Sequence, residues 1–417
     1  MTDDAQHTGR TIMDISRREG LAMLAGLAAS ACGSDGSARA TPVGAAPVPA
    51  PSPTPTASPT SAVLDPASLQ SVAAAKGLRI GSCFAWSERN ADRGSFANPD
   101  YARLLTRDCG ILVPENELKW QAIRPTATRF DFGKFDAMID WADANALPVR
   151  AHNLLWHQPK WMPAWAESYD FGANPQREAE RLLVEHIETV CKRYGSRIRS
   201  YDVVNEAVNP ADGALYQTAL SRALGGAEPT LDLAFRTARA AAPGAQLVYN
   251  DYMSWEPGNA NHRAGVLKLL DGFKKRGVPV DALGVQSHLV TQGIDARATA
   301  TALSGEWRRF LDAVTAMGYG LVITELDVRD NGLPADVAVR DRAVADFTQA
   351  YLDVMFSYPA VRDVLLWGMS DRYSWIEGFE PRSDGVRRRP CPYDDAFIAK
   401  PMRAAIAAAI AAAPARS

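Results

Sequence analysis

Two glutamates each close an apolar stretch of the chain. Glu206 ends segment 201–206, Tyr-Asp-Val-Val-Asn-Glu, and Glu325 follows the apolar residues of segment 321–327, Leu-Val-Ile-Thr-Glu-Leu-Asp. Both segments have the β-branched composition of a short buried strand, so each carboxylate is expected near the end of a strand. Cleavage of a glycosidic bond needs two such groups, one to protonate the leaving oxygen and one to attack the anomeric carbon.

The neighbours of the two glutamates indicate how they would divide this chemistry. Asn205 places an amide beside Glu206, where it can hydrogen-bond a sugar hydroxyl. Asp327 lies two residues beyond Glu325, on the same side of an extended strand, and His288 can join them and hold Glu325 ionised. The other carboxyl group must keep a raised pKa. An isolated Asn-Glu pair is common in surface loops, so the prediction depends on both glutamates reaching one place.

Distant strands must meet to bring these residues together. Apolar segments of strand length recur eight times, at 78–85, 111–114, 147–151, 201–206, 246–249, 282–285, 321–327 and 364–366. Stretches with helical periodicity lie between several of them, at 176–194, 231–242, 261–276, 307–317 and 337–356. This alternation predicts an α/β fold of the (β/α)8 TIM barrel type.

A doubly wound open sheet is the rival fold. It would usually carry a glycine-rich phosphate loop after its first strand, and Gly81-Ser82-Cys83 does not have that pattern. Nearly every candidate strand turns polar or aromatic at its C-terminal end, whereas packing alone would put such residues at either end. Because the C-terminal ends of barrel strands converge on one face, a barrel would gather these side chains into one site.

Several of these segments resemble motifs of glycoside hydrolase family 10, the endo-1,4-β-xylanases. Segments 201–206 and 323–327 are similar to its acid/base and nucleophile motifs, and the resemblance runs in matching order from about residue 78 to 400. It implies a retaining endo-hydrolase that cleaves β-1,4-xylosidic bonds in xylan or xylo-oligosaccharides. In that family pattern Glu325 is the nucleophile and Glu206 is the acid/base.

The resemblance also implies a set of sugar-binding residues. They are Glu115, Asn116, Lys119, His152, Trp156, Asn205, Asn250, Gln286, His288, Trp367 and Trp375, with Asp327 in support. Structural alternatives stay open for several of them: a capped helix start for Glu115 to Lys119, a core histidine for His152, and core packing for the two tryptophans. Tyr201 and segments 253–255 and 390–393 depart from the family pattern, which affects the expected subsites on the leaving-group side but removes no catalytic group.

The N-terminal segment is predicted to lie outside the barrel. In residues 1–32, Arg17 and Arg18 precede an apolar stretch at 21–29 that is too short to span a bilayer, as in a disordered, twin-arginine-like export signal. Cys32, after Ala-Ser-Ala, weakly resembles a lipoprotein site, and a disordered alanine-rich tail is the alternative. Residues 33–62 are predicted to be an extended linker rich in Ala, Pro, Ser and Thr, leaving 63–417 as the catalytic barrel.

Composition limits the partners. The 417 residues are 47% hydrophobic and 22% charged, and the net charge of −3 gives no reason to expect a nucleic-acid partner. We expect an exported monomer that is periplasmic, secreted or lipid-anchored through Cys32. No cysteine or histidine spacing predicts a metal, and no cofactor is expected. Cys83, Cys109, Cys191 and Cys391 allow three disulfide pairings, and buried thiols are an equal alternative.

Two other functions stay open at this point. One is a related retaining glycosidase that acts on cellulose or mixed glucan, since only the shape of the pocket separates glucose from xylose. The other is a non-enzymatic carbohydrate-binding barrel, which would have no need of two carboxylates at its centre.

Overall fold

The computed structural model of the protein describes residues 67–291 and 293–416. The predicted export signal at 1–32, with Cys32, and the predicted linker at 33–62 lie outside the described residues. The described residues therefore fall within the part of the chain that was predicted to be the barrel.

The described residues contain nine strands in one parallel sheet. They are β1 (Arg79–Phe84), β2 (Ile111–Pro114), β3 (Val149–Trp156), β4 (Ile198–Asn205), β5 (Gln246–Asp251), β6 (Ala282–Val285), β7 (His288–Val290), β8 (Gly320–Arg329) and β9 (Val361–Leu366). Neighbours follow the order β1 to β6, then β8 and β9, and β9 pairs back with β1. The sheet is a closed eight-stranded barrel, which confirms the predicted fold, and β7 is a short addition paired with β8.

Helices follow most strands and cover the outside of the barrel. They are α1 (Leu69–Ala74), α2 (Pro99–Asp108), α3 (Trp120–Ile123), α4 (Gly133–Ala144), α5 (Ala164–Glu167), α6 (Pro175–Tyr194), α7 (Ala219–Ala223), α8 (Ala227–Ala241), α9 (Ala260–Lys275), α10 (Ala296–Ala316), α11 (Val337–Phe356), α12 (Ile376–Phe379) and α13 (Pro401–Ala412).

Local sequence signals explain where several helices begin and end. Asn98 caps α2 by accepting hydrogen bonds from the backbone of its first turn, and Pro99 occupies the first helical position, where no amide hydrogen is needed. The helix α6 also begins with a proline and ends at Gly195, whose φ of 50° lies in the left-handed region. Buried residues recur along α6 at Leu183, Ile187 and Val190, so one face of this helix packs on the barrel.

Two layers of apolar side chains hold the barrel together. A large cluster lies between the strands and the helices. A small second cluster fills the inside of the barrel and consists of Cys83, Ile111, Val113, Val248, Ala282, Val322, Leu365 and Trp367. Because this interior is packed rather than open, any site must lie above it, at the ends of the strands.

The structure corrects some predicted boundaries. The predicted third strand ended at residue 151, but β3 continues to Trp156 because its polar residues His152 and Asn153 are buried and stay in the sheet. The helix predicted at 307–317 begins much earlier, at Ala296. Polarity was the wrong criterion for the end of β3, since polar residues that point into a site can still belong to a strand.

Cys83, Cys109, Cys191 and Cys391 are buried free thiols, so the structure contains none of the three possible disulfide pairings of these four cysteines. Among the residues described, no helix has the length and apolarity that a bilayer span requires.

Candidate active site

A cleft of about 580 Å³ opens at the C-terminal ends of the strands. It brings together eleven of the residues singled out from the sequence, namely Glu115, Asn116, Lys119, His152, Trp156, Glu206, Gln286, His288, Glu325, Trp367 and Trp375. The remaining three lie directly behind this lining: Asn205 and Asn250 are fully buried, and Asp327 is 1% exposed. Residues as far apart in the sequence as Glu115 and Trp375 therefore form one site.

Glu206 lies immediately after β4 and receives two hydrogen bonds from neutral donors. Trp156 Nε1 donates to its Oε2 at 2.8 Å, and Gln286 Nε2 donates to its Oε1 at 2.8 Å. Burial raises the pKa of Glu206 to about 7, with help from the nearby carboxylates of Asp251 and Glu325 and against these hydrogen bonds. A carboxyl group in this state can carry a proton near neutral pH.

Glu325 lies on β8 among different partners. Asn250 Nδ2 donates to its Oε1 at 2.8 Å, His288 Nε2 lies 3.3 Å from its Oε2, and His152 Nδ1 lies 3.9 Å from its Oε1. Burial by itself would raise the pKa of Glu325, but the two histidines and the Asn250 amide outweigh burial and lower it to about 2. Glu325 is therefore ionised over the whole neutral range.

His288 connects Glu325 to a second carboxylate. Its Nδ1 lies 2.9 Å from Asp327 Oδ1, and the other oxygen of Asp327 accepts a 2.8 Å hydrogen bond from Trp375 Nε1. Burial alone would lower the pKa of His288, but Asp327 and Glu325 overcome this effect and raise it to about 10. The predicted network of Glu325, Asp327 and His288 is present, and it extends to Trp375.

A buried ion pair under His152 was missed in the sequence. Arg150 and Asp202 lie side by side on β3 and β4 with 2.6 Å between Nη2 and Oδ1, and His152 Nδ1 lies 2.9 Å from Asp202 Oδ2. All three side chains are buried. The available signal was a carboxylate inside the apolar run of β4, because an isolated charge rarely occupies a buried strand unless it is paired.

Asn250 is the amide that links the two candidate catalytic strands. Besides Glu325, its Nδ2 donates to Asn205 Oδ1 at 2.9 Å, and its own oxygen accepts from Thr324 Oγ1 at 2.7 Å. Gly284 on β6 leaves room for this side chain, because a Cβ there would lie 2.4 Å from Asn250 Oδ1. Asn205 Nδ2 has no acceptor among the described residues, so a buried amide donor beside Glu206 is left without a hydrogen bond.

Changes of register next to the site help to aim these side chains. The pairing of β8 with β9 shifts between Ile323 and Leu326, on either side of Glu325. The pairing of β3 with β4 shifts between His152 and Leu155. Such irregularities in a ladder redirect a side chain and are frequent beside active sites.

Glu115, Asn116 and Lys119 form one wall of the cleft. Lys119 Nζ donates to Asn116 Oδ1 at 2.8 Å and lies 4.8 Å from the ring centre of Trp156. Burial lowers the pKa of Lys119, although Glu325, Glu115 and Glu206 oppose that shift. The same wall borders a second, shallower hollow of about 1110 Å³, so the cleft continues past Asn116 and Trp375.

Aromatic side chains cover the remaining surface of the cleft. Trp367 is 6% exposed and lies edge-on to His152 at 5.3 Å between ring centres, and the half-buried Trp375 lies 5.0 Å from His288. Trp161 stacks on Trp156 at 5.0 Å. Trp161 and six other lining residues were not predicted from the sequence: Gln121, Gln158, Lys160, Tyr252, Arg329 and Phe379. Flat apolar rings beside polar groups are the surfaces on which sugar rings stack.

Within residues 67–291 and 293–416, no group of three or more His, Cys, Asp or Glu side chains has an arrangement suited to a metal ion. The acidic and imidazole groups of the cleft are instead satisfied by one another and by amide and indole donors.

Solved structures share this architecture. The native xylanase 10B of Thermotoga maritima superposes with a TM-score of 0.71 at 28% identity, over 82% of this chain and 98% of that protein. Xylanase 10B of Thermotoga petrophila in complex with xylobiose gives a TM-score of 0.72 at 27% identity, over 84% and 98%.

Curated relatives and a family model agree with the structural comparison. The chain is 33% identical over 307 residues to endo-1,4-beta-xylanase 3 of Hypocrea jecorina, covering 74% of this chain and 80% of that protein. It is 29% identical over 303 residues to endo-1,4-beta-xylanase B of Thermotoga neapolitana, covering 73% and 80%. The model of glycosyl hydrolase family 10 matches residues 68–409, which is most of the chain. The protein therefore belongs to glycosyl hydrolase family 10.

Proposed function

We propose that the protein is a retaining endo-1,4-β-xylanase in which Glu325 is the nucleophile and Glu206 is the acid/base. The observation that carries this proposal is that two buried carboxyl groups share one cleft in different surroundings, Glu206 held by indole and amide donors and Glu325 by His288 and Asn250. The pKa of Glu206 is raised to about 7 and that of Glu325 is lowered to about 2. Retaining hydrolysis requires this pair, one proton donor and one anionic nucleophile.

In the first step, the Glu325 carboxylate bonds to the anomeric carbon while the bond from that carbon to the leaving oxygen breaks. Glu206 gives its proton to the leaving oxygen, so the departing sugar leaves as an alcohol. In the second step, the ionised Glu206 takes a proton from water, and the hydroxide oxygen displaces Glu325 from the same carbon. Glu206 then holds the proton again and Glu325 is an anion, so the cycle closes.

The hydrogen bonds around Glu325 suit the nucleophile role. His288 and Asn250 orient its two oxygens, and Asp327 fixes the ring of His288. The free amide hydrogens of Asn205 can bind the sugar hydroxyl next to the reacting carbon. An interaction of this kind strengthens in the transition state of glycoside hydrolysis.

Xylan is the substrate suggested by the relatives. Several similar proteins are endo-1,4-beta-xylanases by name, and one similar structure contains xylobiose. The tryptophan-lined cleft and the adjoining hollow offer a surface for more than one sugar unit, which suits attack within a polymer. Beechwood-type xylan should release xylo-oligosaccharides, whereas carboxymethyl cellulose should release little reducing sugar.

Proton NMR of the first product anomer tests the mechanism. We expect the β-anomer to form first, because two displacements at one carbon restore its configuration. First appearance of the α-anomer would refute the nucleophile role of Glu325. Efficient cleavage of carboxymethyl cellulose with none of xylan would identify a glucanase instead.

The pH dependence tests the assignment of the acid. Because Glu206 must be protonated in the free enzyme, kcat/KM on xylan should fall as the pH rises through about 7. A profile that stays flat to pH 9 would contradict the raised pKa of Glu206.

We also propose that the enzyme is exported and acts as a monomer, with residues 63–417 as its catalytic domain. Only the N-terminal sequence supports export, through the Arg17-Arg18 pair and the apolar stretch at 21–29. Mass spectrometry of the mature N-terminus distinguishes simple cleavage from acylation of Cys32.

A further inference from the structure

Strand β5 has two chemically different faces. Asn250 points into the barrel and contacts Glu325 and Asn205. Tyr249 and Asp251 are its neighbours in the strand, so their side chains point to the outer face. Both are fully buried, and neither lines the cleft. A buried carboxylate behind an active-site wall requires an explanation, because burying a charge is costly unless it is well hydrogen-bonded.

Asp251 accepts three hydrogen bonds. Tyr249 donates its hydroxyl hydrogen to Oδ2, and Oδ1 accepts from the backbone amide of Tyr252 at 2.8 Å and from His262 Nε2 at 2.9 Å. His262 lies in the first turn of α9 and is fully buried. Its Nδ1 has no partner in the described part of the chain, so Asp251 is the hydrogen-bond partner that fixes the imidazole ring.

The Tyr249 hydroxyl also faces the residue that follows Glu206. Its oxygen accepts a hydrogen bond from the backbone amide of Ala207 at 3.2 Å. Glu206 has a φ of 52°, in the left-handed region that residues other than glycine seldom occupy. Its own amide donates to Asn250 O at 2.9 Å. The two peptide groups that flank this strained residue are thus both held by β5, and such strain persists only where the surroundings enforce it.

We propose that Tyr249, Asp251 and His262 form a positioning network that holds Glu206 in place through the backbone of Ala207. His262 fixes Asp251, Asp251 orients the Tyr249 hydroxyl, and that hydroxyl fixes the peptide after Glu206. The Asp251 carbonyl also accepts from the Gln286 amide at 3.1 Å, and the Gln286 side chain donates to Glu206. This inference rests on the proposed acid/base role of Glu206 and extends it to three residues that do not touch the substrate cleft.

The carboxylate of Asp251 also supports the proposed role of Glu206 as an acid, because it raises the pKa of Glu206. Two carboxylates face Glu206, Asp251 and Glu325, and both raise its pKa. Lys119 is the cation that faces it, and Tyr249 and Tyr252 are the nearby phenols. The network therefore keeps Glu206 both oriented and protonated.

Tyr249→Phe tests the positioning role. It removes the donor to Asp251 and the acceptor of Ala207 and changes little in volume. We expect kcat on xylan to fall about 10-fold, a fraction of the effect of losing a general acid entirely. The rate of the aryl burst on dinitrophenyl β-xylobioside, which reports the first step alone, should change less than about 2-fold, because its leaving group needs little protonation. KM should stay nearly constant for both substrates.

Tyr319→Phe is the matched control. Tyr319 precedes β8 at the opposite end of the barrel, and its buried hydroxyl donates to Leu270 O at 2.8 Å. This variant loses one buried hydrogen bond, whereas Tyr249→Phe loses two, so it should also lose thermal stability but show no difference between the two substrates. If Tyr249→Phe lowers both activities equally, or lowers neither, the positioning role is overturned.

Asp251→Asn tests the electrostatic part independently. Removing a negative charge near Glu206 should lower its pKa, so the alkaline limb of kcat/KM should move to lower pH. An unshifted limb in the folded variant would remove Asp251 from the proposal. Glu206→Ala separates the two levels of inference: if it fails to discriminate between the substrates, the acid/base role itself is wrong. If Glu206→Ala discriminates but Tyr249→Phe does not, and Asp251→Asn leaves the alkaline limb unshifted, the network alone is wrong.

Discussion

Glu206 and Glu325 are almost equally buried, at 8% and 5% exposed, yet their pKa values move in opposite directions. Glu325 has two imidazoles and a primary amide around it, whereas Glu206 has an indole, a primary amide and two carboxylates nearby. Burial disfavours the ionised form of both groups to begin with. The groups beside each glutamate, rather than the extent of its burial, therefore divide the two roles.

The same strands supply both environments. Strand β3 places His152 near Glu325 and Trp156 on Glu206. The segment after β6 places Gln286 on Glu206 and His288 on Glu325. A few residues along one segment therefore suffice to change the neighbour from an imidazole to an indole or an amide, which is how one cleft gives its two carboxyl groups different surroundings.

The largest effect is expected from removing Glu325, the ionised glutamate of the pair. Glu325→Ala should lower turnover on xylan by at least about 10⁴-fold, because it removes the carboxylate that attacks the anomeric carbon. Glu188→Ala is the control, since Glu188 pairs with Lys192 on the surface of α6. Initial rates by reducing-sugar assay measure both variants. Wild-type activity in Glu325→Ala would show that the nucleophile lies elsewhere.

Removing Glu206, the protonated glutamate, should have a smaller effect that differs between natural and activated substrates. Glu206→Ala is expected to lower kcat on xylan by about 10²- to 10⁴-fold, the usual contribution of a general acid. The loss on dinitrophenyl β-xylobioside should be far smaller for the first step, in which the nucleophile displaces the aryl group. Stopped-flow measurement of the aryl burst isolates that step. Equal losses on both substrates would contradict the acid role.

Removing the charge of His288 beside Glu325 should bring the pKa values of the two glutamates closer together. His288→Asn removes an imidazole whose pKa is raised to about 10, so it removes a positive charge at neutral pH. The pKa of Glu325 should then rise from about 2, and the acidic limb of kcat/KM should move to higher pH because the nucleophile must be ionised.

We expect kcat to fall about 10-fold in His288→Asn, in line with the loss of a group that orients and stabilises a charged partner. His186→Asn is the control for losing a buried imidazole, because His186 lies on α6, outside the cleft, and packs against Trp120 and Phe130. An acidic limb that stays in place in His288→Asn would show that His288 does not set the state of Glu325.

Much of this arrangement was predictable from the sequence. Apolar runs that end in polar residues predicted the eight barrel strands, and the two glutamates were found because each closes such a run. Asp327 was placed with Glu325 by the two-residue period of a strand, and both side chains do reach His288. These predictions succeeded because periodicity along a strand is local information.

Interactions between strands were harder to predict from the sequence. The pair of Arg150 and Asp202 joins β3 to β4, and nothing in either segment specifies the register that brings them together. The pKa of Glu206 also depends on Asp251, which reaches it from another strand and from the outer face. Register and side-chain direction at bulges are tertiary properties, so the roles of these residues required the structure.

Gly284 on β6 allows the smallest of these changes to be made beside Glu325 alone. In Gly284→Ala the new Cβ would lie 2.4 Å from Asn250 Oδ1, so the amide must move away from Glu325. The hydrogen bond that Asn250 donates to Glu325 lowers the pKa of that carboxylate and leaves Glu206 untouched. We expect a roughly 3- to 10-fold fall in kcat on xylan, comparable to the loss of one hydrogen bond to a charged group.

Gly244→Ala is the matched control for that substitution, because a Cβ at Gly244 would meet no atom within 4 Å. Both variants should fold, and their melting temperatures separate a structural loss from a local one. The loss in Gly284→Ala should appear equally on xylan and on the dinitrophenyl substrate, since the nucleophile serves both. A loss confined to xylan would mean that Asn250 acts through Asn205 and Glu206, and the two environments would then be less independent than their opposite pKa shifts indicate.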